Sequence, residues 1–434
     1  MLYFSTNNPS NTANLKHAVL KGLADDGGLY MPERFPALEK DFFEQLHGKS
    51  LHEIAYAVLS GFLEDEIPGK KLKEMVEDTL DFDIPLVRLD SGTYSLELFH
   101  GPTMAFKDVG ARFMARLMAW LLAKNEKTLK VVTATSGDTG SAVAAGFLNV
   151  PGIEVFVFFP KGKVSQLQQK QITTQGGNIK AIEIDGTFDD CQKLVKQILS
   201  DHELNKRFMI TSANSINIAR LLPQSIYYFY AASQLKSGKP LVFSVPSGNF
   251  GNLTAGLMAQ IMGLEVERFV AATNVNDVVP EYFKTSVYNP RTSVQTLSNA
   301  MDVGHPSNFA RILEMADKEH RIFCQWIYAC SFTDKQTREA IHKLNTEYAY
   351  LMDPHGAVAW LGAKEYQKTL NKEADIVVLE TAHPAKFPET LKIYLDTYKK
   401  LPDQLEQVKN KEEHFLSMPN QYNEVKELMT RLDS

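Results

Sequence analysis

The sequence contains little cysteine and no long hydrophobic run. Its 434 residues include 3 cysteines, Cys191, Cys324 and Cys330, whose odd number and wide spacing predict neither a disulfide framework nor a metal site. No segment approaches the roughly 18 uninterrupted apolar residues of a membrane span, and no basic segment followed by an apolar one opens the chain. We therefore expect no association with a membrane and a reducing, cytoplasmic location.

The sequence also lacks an excess of basic residues. Its 46 lysines and arginines are outnumbered by 52 aspartates and glutamates, and no basic run with interleaved aromatic residues occurs. This balance argues against nucleic acid as a partner. The apolar fraction of 44% and the charged fraction of 23% are ordinary for a folded globular protein. The length predicts more than one domain, because single cores stop growing near about 250 to 300 residues.

Hydrophobic patterning predicts a mostly helical N-terminal region, residues 1–92, followed by an α/β fold. From about residue 94, short apolar runs alternate with segments of 3.6-residue period, which is typical of a parallel sheet. The predicted strands are YSLELF, LKVVTA, EVFVFF, IKAIEI, PLVFSV, ERFVAAT and DIVVLE. Since no flexible linker divides the chain, we expect interleaved lobes: a large domain from 93–125 and 236–434, and a small α/β domain from 126–235.

Lys107 lies at the start of a predicted helix, where a positive charge is unfavourable. An apolar stripe recurs every three or four positions after it: Gly110, Phe113, Met114, Leu117, Met118 and Leu121. Asp108 is the candidate cap of this helix. The helix dipole disfavours an ammonium here and favours the neutral amine, which is a nucleophile. Lys107 is therefore either a solvated surface residue or a lysine that reacts with a carbonyl group.

Two turns between a strand and a helix could bind an anion. In residues 133–147, TATSGDTGSAVAAGF, a hydroxyl-rich turn precedes a helix of small residues. It could hold a carboxylate or a phosphate, or be an ordinary turn capped by Asp138 or Thr139. In residues 240–263, the turn Gly248–Asn252 could present N–H groups to a phosphate, or be a plain connection. Its spacing is neither that of a P-loop nor G-x-G-x-x-G.

A third candidate is Thr381, which follows the predicted strand DIVVLE. It could hydrogen-bond a ligand or cap the strand, and His383 in the same loop could be catalytic or structural. Taken together, the lysine, the hydroxyl-rich turn, the glycine turn and the threonine meet the needs of pyridoxal phosphate. This cofactor requires an amine for a Schiff base, an anion site for its phosphate, a partner for its ring nitrogen and a site for the substrate carboxylate.

Seven ordered motifs carry a resemblance to a known family. They are GLADDGGLYMPE at 22–33, HGPTMAFKD at 100–108, TSGDTGSA at 135–142, NSINIAR at 214–220, VPSGNFGN at 245–252, MDVGHPSN at 301–308 and ETAHPAKF at 380–387. On these motifs the chain resembles the threonine synthase family of fold-type II pyridoxal-phosphate-dependent enzymes over nearly its whole length. The resemblance implies two interleaved, doubly wound sheet domains with the cofactor in the crevice.

The resemblance also assigns roles around the cofactor. It implies that Lys107 forms the Schiff base with pyridoxal 5'-phosphate and that the turn holds the cofactor phosphate through Gly248, Asn249, Phe250, Gly251 and Asn252. Thr381 would face the pyridine nitrogen, and a hydroxyl in place of a carboxylate there would restrain ring protonation and can favour elimination over transamination. Asp138 would lie near the 3-oxygen, where many relatives carry an asparagine.

For the substrate, the resemblance places the amino-acid carboxylate against Thr135, Ser136 and Thr139, and its phosphate against Ser215 and Arg220. The expected reaction converts O-phospho-L-homoserine and water to L-threonine and phosphate, the last step of threonine biosynthesis. Arginine suits a phosphate because its planar fork can donate two parallel bonds, whereas outside its motif Arg220 would be read as part of a surface ion pair. A monomer or a homodimer is expected.

Three other interpretations share much of this pattern. A related lyase would release phosphate and give a ketoacid in place of threonine. A non-catalytic relative would keep the fold for binding or regulation, although it should then have lost the lysine or the glycine turn. A serine or threonine deaminase, or a cysteine synthase, would need no arginine for a substrate phosphate.

Overall fold

The computed structural model of the chain describes residues 1–123, 127–395 and 401–431. The strands in chain order are β1 (Leu2–Ser5), β2 (Thr12–Asn14), β3 (Tyr30–Pro32), β4 (Leu86–Arg88), β5 (Thr93–Glu97), β6 (Leu129–Ala134), β7 (Ile153–Pro160), β8 (Ile179–Asp185), β9 (Met209–Ser212), β10 (Leu241–Pro246), β11 (Arg268–Thr273), β12 (Ile327–Ser331), β13 (Asp375–Glu380) and β14 (Leu416–Pro419).

The α-helices are α1 (Leu15–Lys21), α2 (Lys40–Glu44), α3 (Leu51–Leu63), α4 (Gly69–Thr79), α5 (Lys107–Leu122), α6 (Asp138–Phe147), α7 (Gln166–Thr173), α8 (Phe188–Ser200), α9 (His202–Arg207), α10 (Ile218–Leu221), α11 (Ile226–Gln234), α12 (Gly251–Ile261), α13 (Val278–Thr285), α14 (Phe309–Met315), α15 (His320–Trp326), α16 (Asp334–Glu347), α17 (Pro354–Gln367), α18 (Pro388–Leu395), α19 (Asp403–Lys409) and α20 (Tyr422–Arg431). Short 3₁₀ turns occur at Leu46–Gly48, Leu222–Ser225, Asn299–Met301 and Pro384–Lys386. Within the described ranges, none of these helices has the length and apolar character that crossing a bilayer requires.

The chain divides into two compact units, each made of separate stretches of sequence. The large unit comprises Met1, Met31–Phe106 and Leu221–Lys400, and the small unit comprises Leu2–Tyr30, Lys107–Arg220 and Leu401–Ser434. The two units are therefore interleaved in sequence, as expected from a chain without a flexible linker. The domain boundaries predicted from the sequence, near residues 92, 125 and 235, stay a prediction.

The large unit is built on a six-stranded sheet in the order β12-β11-β10-β13-β5-β4. Its strands run parallel except for β4, which pairs antiparallel with β5 at one edge. Helices α16 and α17 cover one face, where Trp360 and Ala363 pack against Val242 and Ile376. All residues of β13 are buried, which explains the unbroken apolar run IVVL at its centre.

The small unit contains a fully parallel five-stranded sheet in the order β14-β8-β7-β6-β9. Phe156 and Phe158 of β7 pack with Leu194 and Ile198 of α8 in its core. Near the start of the chain, β1 and β2 form an antiparallel pair.

The predicted α/β class with parallel strands is confirmed, and each of the seven apolar runs coincides with a strand to within two residues: β5, β6, β7, β8, β10, β11 and β13. In the two main sheets the patterning did not reveal β4, β9, β12 and β14. In parallel sheets the carboxyl ends of the strands share one edge, where loops meet ligands. β6 ends before Thr135, β10 before the glycine turn and β13 before Thr381, so the candidate residues follow carboxyl ends of strands.

Candidate functional site

The candidate Schiff-base lysine begins a long buried helix. Lys107 is the first residue of α5, which confirms its predicted position at a helix N-terminus. Asp108 is the second helical residue and not the cap, so that prediction was wrong. Its carboxylate is 1% exposed and lies in the first turn, where the positive end of the helix dipole stabilises it. The apolar stripe predicted after Lys107 is buried, and this burial anchors α5 in the small unit.

Lys107 is paired with an aspartate from the next helix of the small unit. Its Nζ lies 3.7 Å from Oδ2 of Asp138, and the two side chains are 16% and 3% exposed. The other carboxylate oxygen of Asp138 accepts a 2.8 Å hydrogen bond from Nε2 of Gln168. Because Gln168 fixes its orientation, Asp138 presents one oxygen to the lysine. The sequence had placed Asp138 at the cofactor and had not identified this pairing.

The hydroxyl-rich turn after β6 is organised by Thr135. Its hydroxyl oxygen accepts hydrogen bonds from the N–H groups of Gly137 at 2.9 Å and Gly140 at 2.8 Å. Thr135, rather than Asp138 or Thr139, therefore satisfies the exposed N–H groups at the start of α6. Gly137 has φ 140°, and a Cβ there would lie 2.6 Å from Cδ of Gln168, so only glycine fits.

Within this turn the candidate residues differ in exposure. Ser136 and Thr139 are half-buried, whereas Thr135 is buried. A hydroxyl that accepts two hydrogen bonds still has its own proton to donate. The turn can therefore offer three hydroxyl donors next to the N-terminus of α6, an arrangement that suits a carboxylate.

The segment carrying Ser215 and Arg220 is attached to the end of β6. The amide of Asn214 accepts from the N–H of Ala134 at 3.2 Å and donates to its carbonyl at 2.8 Å. Arg220 is 3% exposed, and its Nη1 donates to the carbonyl of Ala213 at 2.5 Å. Arg220 is thus not part of a surface ion pair.

Arg220 also contacts α5 directly. A Cβ on Gly110 would lie 2.9 Å from the carbonyl oxygen of Arg220 and 3.3 Å from its Nε. Gly110 lies three residues after Lys107, so the small unit brings the lysine helix and the arginine together. This close approach explains a glycine within the otherwise apolar stripe of α5.

The glycine turn lies in the large unit between β10 and α12. Phe250 adopts a left-handed conformation, φ 62° and ψ 9°, immediately before α12 begins at Gly251. The amide of Asn252 donates to the carbonyl of Pro246 at 2.8 Å and so closes the turn onto the strand end. The first N–H groups of a helix have no partner within the helix and carry partial positive charge, so this turn can bind an anion.

Residues 299–308 support one side of the glycine turn. A Cβ on Gly248 would lie 2.7 Å from Cα of Met301 and 2.8 Å from the carbonyl oxygen of Ala300. The side-chain oxygen of Asn249 accepts a 2.6 Å hydrogen bond from the N–H of Ser307. The MDVGHPSN motif therefore packs against the glycine turn and supports it, a role that the sequence did not suggest.

Thr381 follows β13 directly and is 6% exposed. Its carbonyl accepts a 2.9 Å hydrogen bond from the N–H of Phe106, and Lys107 is the next residue of the chain. His383, by contrast, uses Nδ1 to accept from the N–H of Ala385 at 3.1 Å, which favours its structural interpretation. The strand end is thus joined by backbone bonds to the segment that leads into the lysine.

The candidate residues form two sets within the two units. Lys107, Asp138, the hydroxyl-rich turn and Arg220 belong to the small unit, whereas the glycine turn and Thr381 belong to the large one. Sequence reasoning missed the buried Asp353, His355 and Glu380, although an aspartate followed by proline is a recognisable helix start. Among the described residues, no cluster of three or more His, Cys, Asp or Glu side chains could hold a metal ion.

Three family models match this chain. The model for pyridoxal-phosphate dependent enzymes matches residues 83–382. The model for the threonine synthase N terminus matches residues 2–80, and the model for the threonine synthase C-terminal part matches residues 356–429. The matches together extend over nearly the whole sequence.

Individual proteins of known name are also similar to this chain over nearly its whole length. Threonine synthase from Haemophilus influenzae is 42% identical over 408 residues, which cover 94% of this chain and 94% of that protein. The crystal structure of threonine synthase from Escherichia coli gives a TM-score of 0.93 at 39% identity and covers 99% of this chain and 100% of its own. A structure of threonine synthase with bound pyridoxal phosphate from Brucella melitensis gives 0.92 at 36% identity, with 99% of both chains covered.

Proposed function

Because this chain belongs to the threonine synthase family of pyridoxal-phosphate-dependent enzymes, we propose that it converts O-phospho-L-homoserine and water to L-threonine and phosphate. The reaction is a γ-elimination followed by addition of water at the β-carbon, and it completes threonine biosynthesis. The observation that carries the proposal is the position of Lys107, the first residue of α5, with its Nζ 3.7 Å from the buried carboxylate of Asp138.

The residues present fit the cofactor. The glycine turn allows no side chain at position 248, where a Cβ would lie 2.7 Å from Cα of Met301, and it leads into a helix whose first N–H groups attract a phosphate. The proposed phosphate ligands are Gly248, Asn249, Phe250, Gly251 and Asn252. Lys107 would hold the cofactor through its aldehyde group, Asp138 through its 3-oxygen and Thr381 through its ring nitrogen. Bound pyridoxal phosphate supplies an electron sink that makes the protons next to the substrate amine removable.

Lys107 is the group that moves protons. With the substrate amine bound in its place, the neutral amine of Lys107 would take the proton from the α-carbon. After giving that proton up, the amine would take a second proton from the β-carbon. Asp138 offers a carboxylate to the ammonium that results, and its hydrogen bond from Gln168 keeps that carboxylate oriented. The same lysine later returns a proton to the γ-carbon after phosphate has left.

The small unit also supplies the proposed substrate contacts. Thr135, Ser136 and Thr139 donate hydroxyl hydrogen bonds to the substrate carboxylate at the start of α6. Arg220, with Ser215, binds the phosphate and stabilises the charge that builds on its oxygens as it leaves. The bond from Arg220 to Ala213 fixes the plane of the guanidinium, which orients the fork that a phosphate requires.

The test is turnover of O-phospho-L-homoserine with threonine and phosphate measured together. We expect both products in equal amounts, and an Arg220→Met variant should lose most of the activity while still binding pyridoxal phosphate. A 2-oxo acid in place of threonine would contradict the proposal and identify a lyase without productive water addition. Undiminished activity of Arg220→Met toward its true substrate would instead support a deaminase or a cysteine synthase.

Two further points belong to this proposal. A cytoplasmic location is supported by the 3 unpaired cysteines, of which Cys191 is buried. A monomer or a homodimer is proposed as the working assembly, and sedimentation of the purified holoenzyme measures it.

A further inference from the structure

A cluster of buried polar side chains lies next to the strand ends of the large unit. Asp353, His355 and Glu380 are 0%, 2% and 0% exposed, respectively. Burial of such groups is costly unless they are hydrogen-bonded to one another, so a cluster of this kind fixes a particular geometry. The proposed mechanism uses none of these three residues.

The hydrogen bonds of His355 define which ring nitrogen donates and which accepts. Its Nε2 accepts a 3.2 Å hydrogen bond from the N–H of Ala300, so this nitrogen carries no proton. Its Nδ1 contacts Oδ1 of Asp353 and therefore donates to that carboxylate. Asp353 also caps α17 through the N–H groups of His355 and Gly356. The imidazole thus joins the start of α17 to the 3₁₀ turn Asn299–Met301.

The 3₁₀ turn Asn299–Met301 is also the segment that packs against the glycine turn. Ala300 donates to His355 through its N–H, and its carbonyl oxygen lies 2.8 Å from where a Cβ of Gly248 would be. Since these two groups belong to one residue, a shift of Ala300 is passed directly to Gly248. The side chain of His355 therefore sets the position of the glycine turn indirectly, through Ala300.

The other end of the cluster reaches Thr381. Oε1 of Glu380 accepts a 2.8 Å hydrogen bond from the N–H of Asp353, and Thr381 is the next residue after Glu380. Burial and the neighbouring charge of Asp353 raise the pKa of Glu380 well above its usual range. This shift favours the protonated form of Glu380, and the hydrogen bond from Asp353 ties that side chain to the start of α17.

The geometry points to His355 as a positioning residue for the cofactor, one that holds the glycine turn at a fixed distance from Thr381. The connection runs from Gly248 through Ala300, His355 and Asp353 to Glu380. This inference rests on the proposed assignment of the glycine turn to the cofactor phosphate and of Thr381 to the ring nitrogen. A cofactor bound by both the glycine turn and Thr381 needs a defined distance between these two protein segments. If either segment had to become ordered on binding, the affinity for the cofactor would fall.

Three substitutions separate the two hydrogen bonds of the imidazole. In His355→Gln the side-chain oxygen replaces Nε2 and still accepts from Ala300. In His355→Asn the side-chain nitrogen replaces Nδ1 and still donates to Asp353, whereas Ala300 loses its acceptor. His355→Phe keeps the ring volume and removes both bonds. The matched control is His342→Phe, an exposed histidine on α16.

The measurements use the full chain, freed of cofactor and titrated with pyridoxal phosphate. We expect the dissociation constant to rise about tenfold in His355→Phe and His355→Asn, and about twofold or less in His355→Gln and His342→Phe. The phosphorus-31 chemical shift of the bound cofactor should change in the first two variants only. Urea unfolding of the cofactor-free proteins identifies any variant that does not fold.

Rescue of affinity by glutamine but not by asparagine supports a positioning role, because loss of general stability would affect both. Equal affinity of the parent and folded His355→Phe would overturn the inference, as would an asparagine variant that binds as tightly as the glutamine variant. A parent protein that binds no pyridoxal phosphate would overturn the proposed function itself, so the two failures are distinguishable.

Discussion

Replacement of Gly110 by alanine tests whether the placement of Arg220 governs substrate binding. A Cβ at this position would lie 2.9 Å from the carbonyl oxygen of Arg220, a backbone atom that cannot rotate away, and 3.3 Å from its Nε. Arg220 must therefore shift by a few tenths of an ångström. The change leaves every proposed ligand of substrate and cofactor chemically intact, so any loss of activity reports on geometry.

The expected magnitudes differ between stability and activity. Alanine in a helix is favoured over glycine by about 1 kcal/mol, and one extra methyl group in a packed core costs about 1–3 kcal/mol, so the enzyme should remain folded. Misalignment that removes one charge-assisted hydrogen bond to the phosphate costs about 1.5–3 kcal/mol, which corresponds to a fall in kcat/KM of about 10- to 100-fold.

The assay compares kcat and KM for O-phospho-L-homoserine in Gly110→Ala and in a matched variant, Gly146→Ala. A Cβ on Gly146 would lie 3.1 Å from the backbone of Ala111 and Arg112, and its three nearest atoms all belong to α5. We expect kcat/KM to fall in Gly110→Ala alone. An equal fall in both variants, or none in either, would refute the view that the position of Arg220 limits phosphate binding.

Two further predictions concern Lys107 and His383. Lys107→Ala should reduce turnover below detection and abolish trapping of the cofactor by borohydride, while equilibrium dialysis still finds cofactor bound; residual turnover above a few per cent would contradict the role of the lysine. Burial, with a contribution from the charge of His100, lowers the pKa of His383 to about 4, so the folded state binds fewer protons than the unfolded state, whose value is near 6.5. The free energy of unfolding is then fully retained above about pH 6.5 and falls by up to about 3 kcal/mol as the pH approaches 4. His383→Asn, which keeps an acceptor for Ala385, should flatten this dependence in urea unfolding between pH 4 and 7, and an unchanged slope would refute the attribution.

The apolar runs were sufficient to locate most of the two main sheets. Strands such as β7 and β13 are buried on both faces, so their sequences contain apolar runs without alternation, FVFF and IVVL, which stand out from the helices around them. β12, Ile327–Ser331, was missed because it is only five residues long and most of them are only partly buried.

The local roles of polar residues were harder to read. A hydroxyl or a carboxylate near a helix start can cap the helix or bind a ligand, and sequence spacing does not separate these uses. Thr135 was predicted as a ligand for the substrate and also turned out to organise the N-terminus of α6. Asp108 was predicted as a cap and instead lies inside the first turn of α5.

By itself, the sequence determined the α/β class, the helix that begins at Lys107 and, through the order of its motifs, the family and its cofactor. These depend on hydrophobic period and on short contiguous patterns, which are local. Only the tertiary structure decided that Asp138 lies beside Lys107, that Gly110 contacts Arg220 and that His355 reaches Ala300. Each of those contacts joins residues far apart in the chain, and the packing of helices and strands, which no local pattern specifies, fixes their distances.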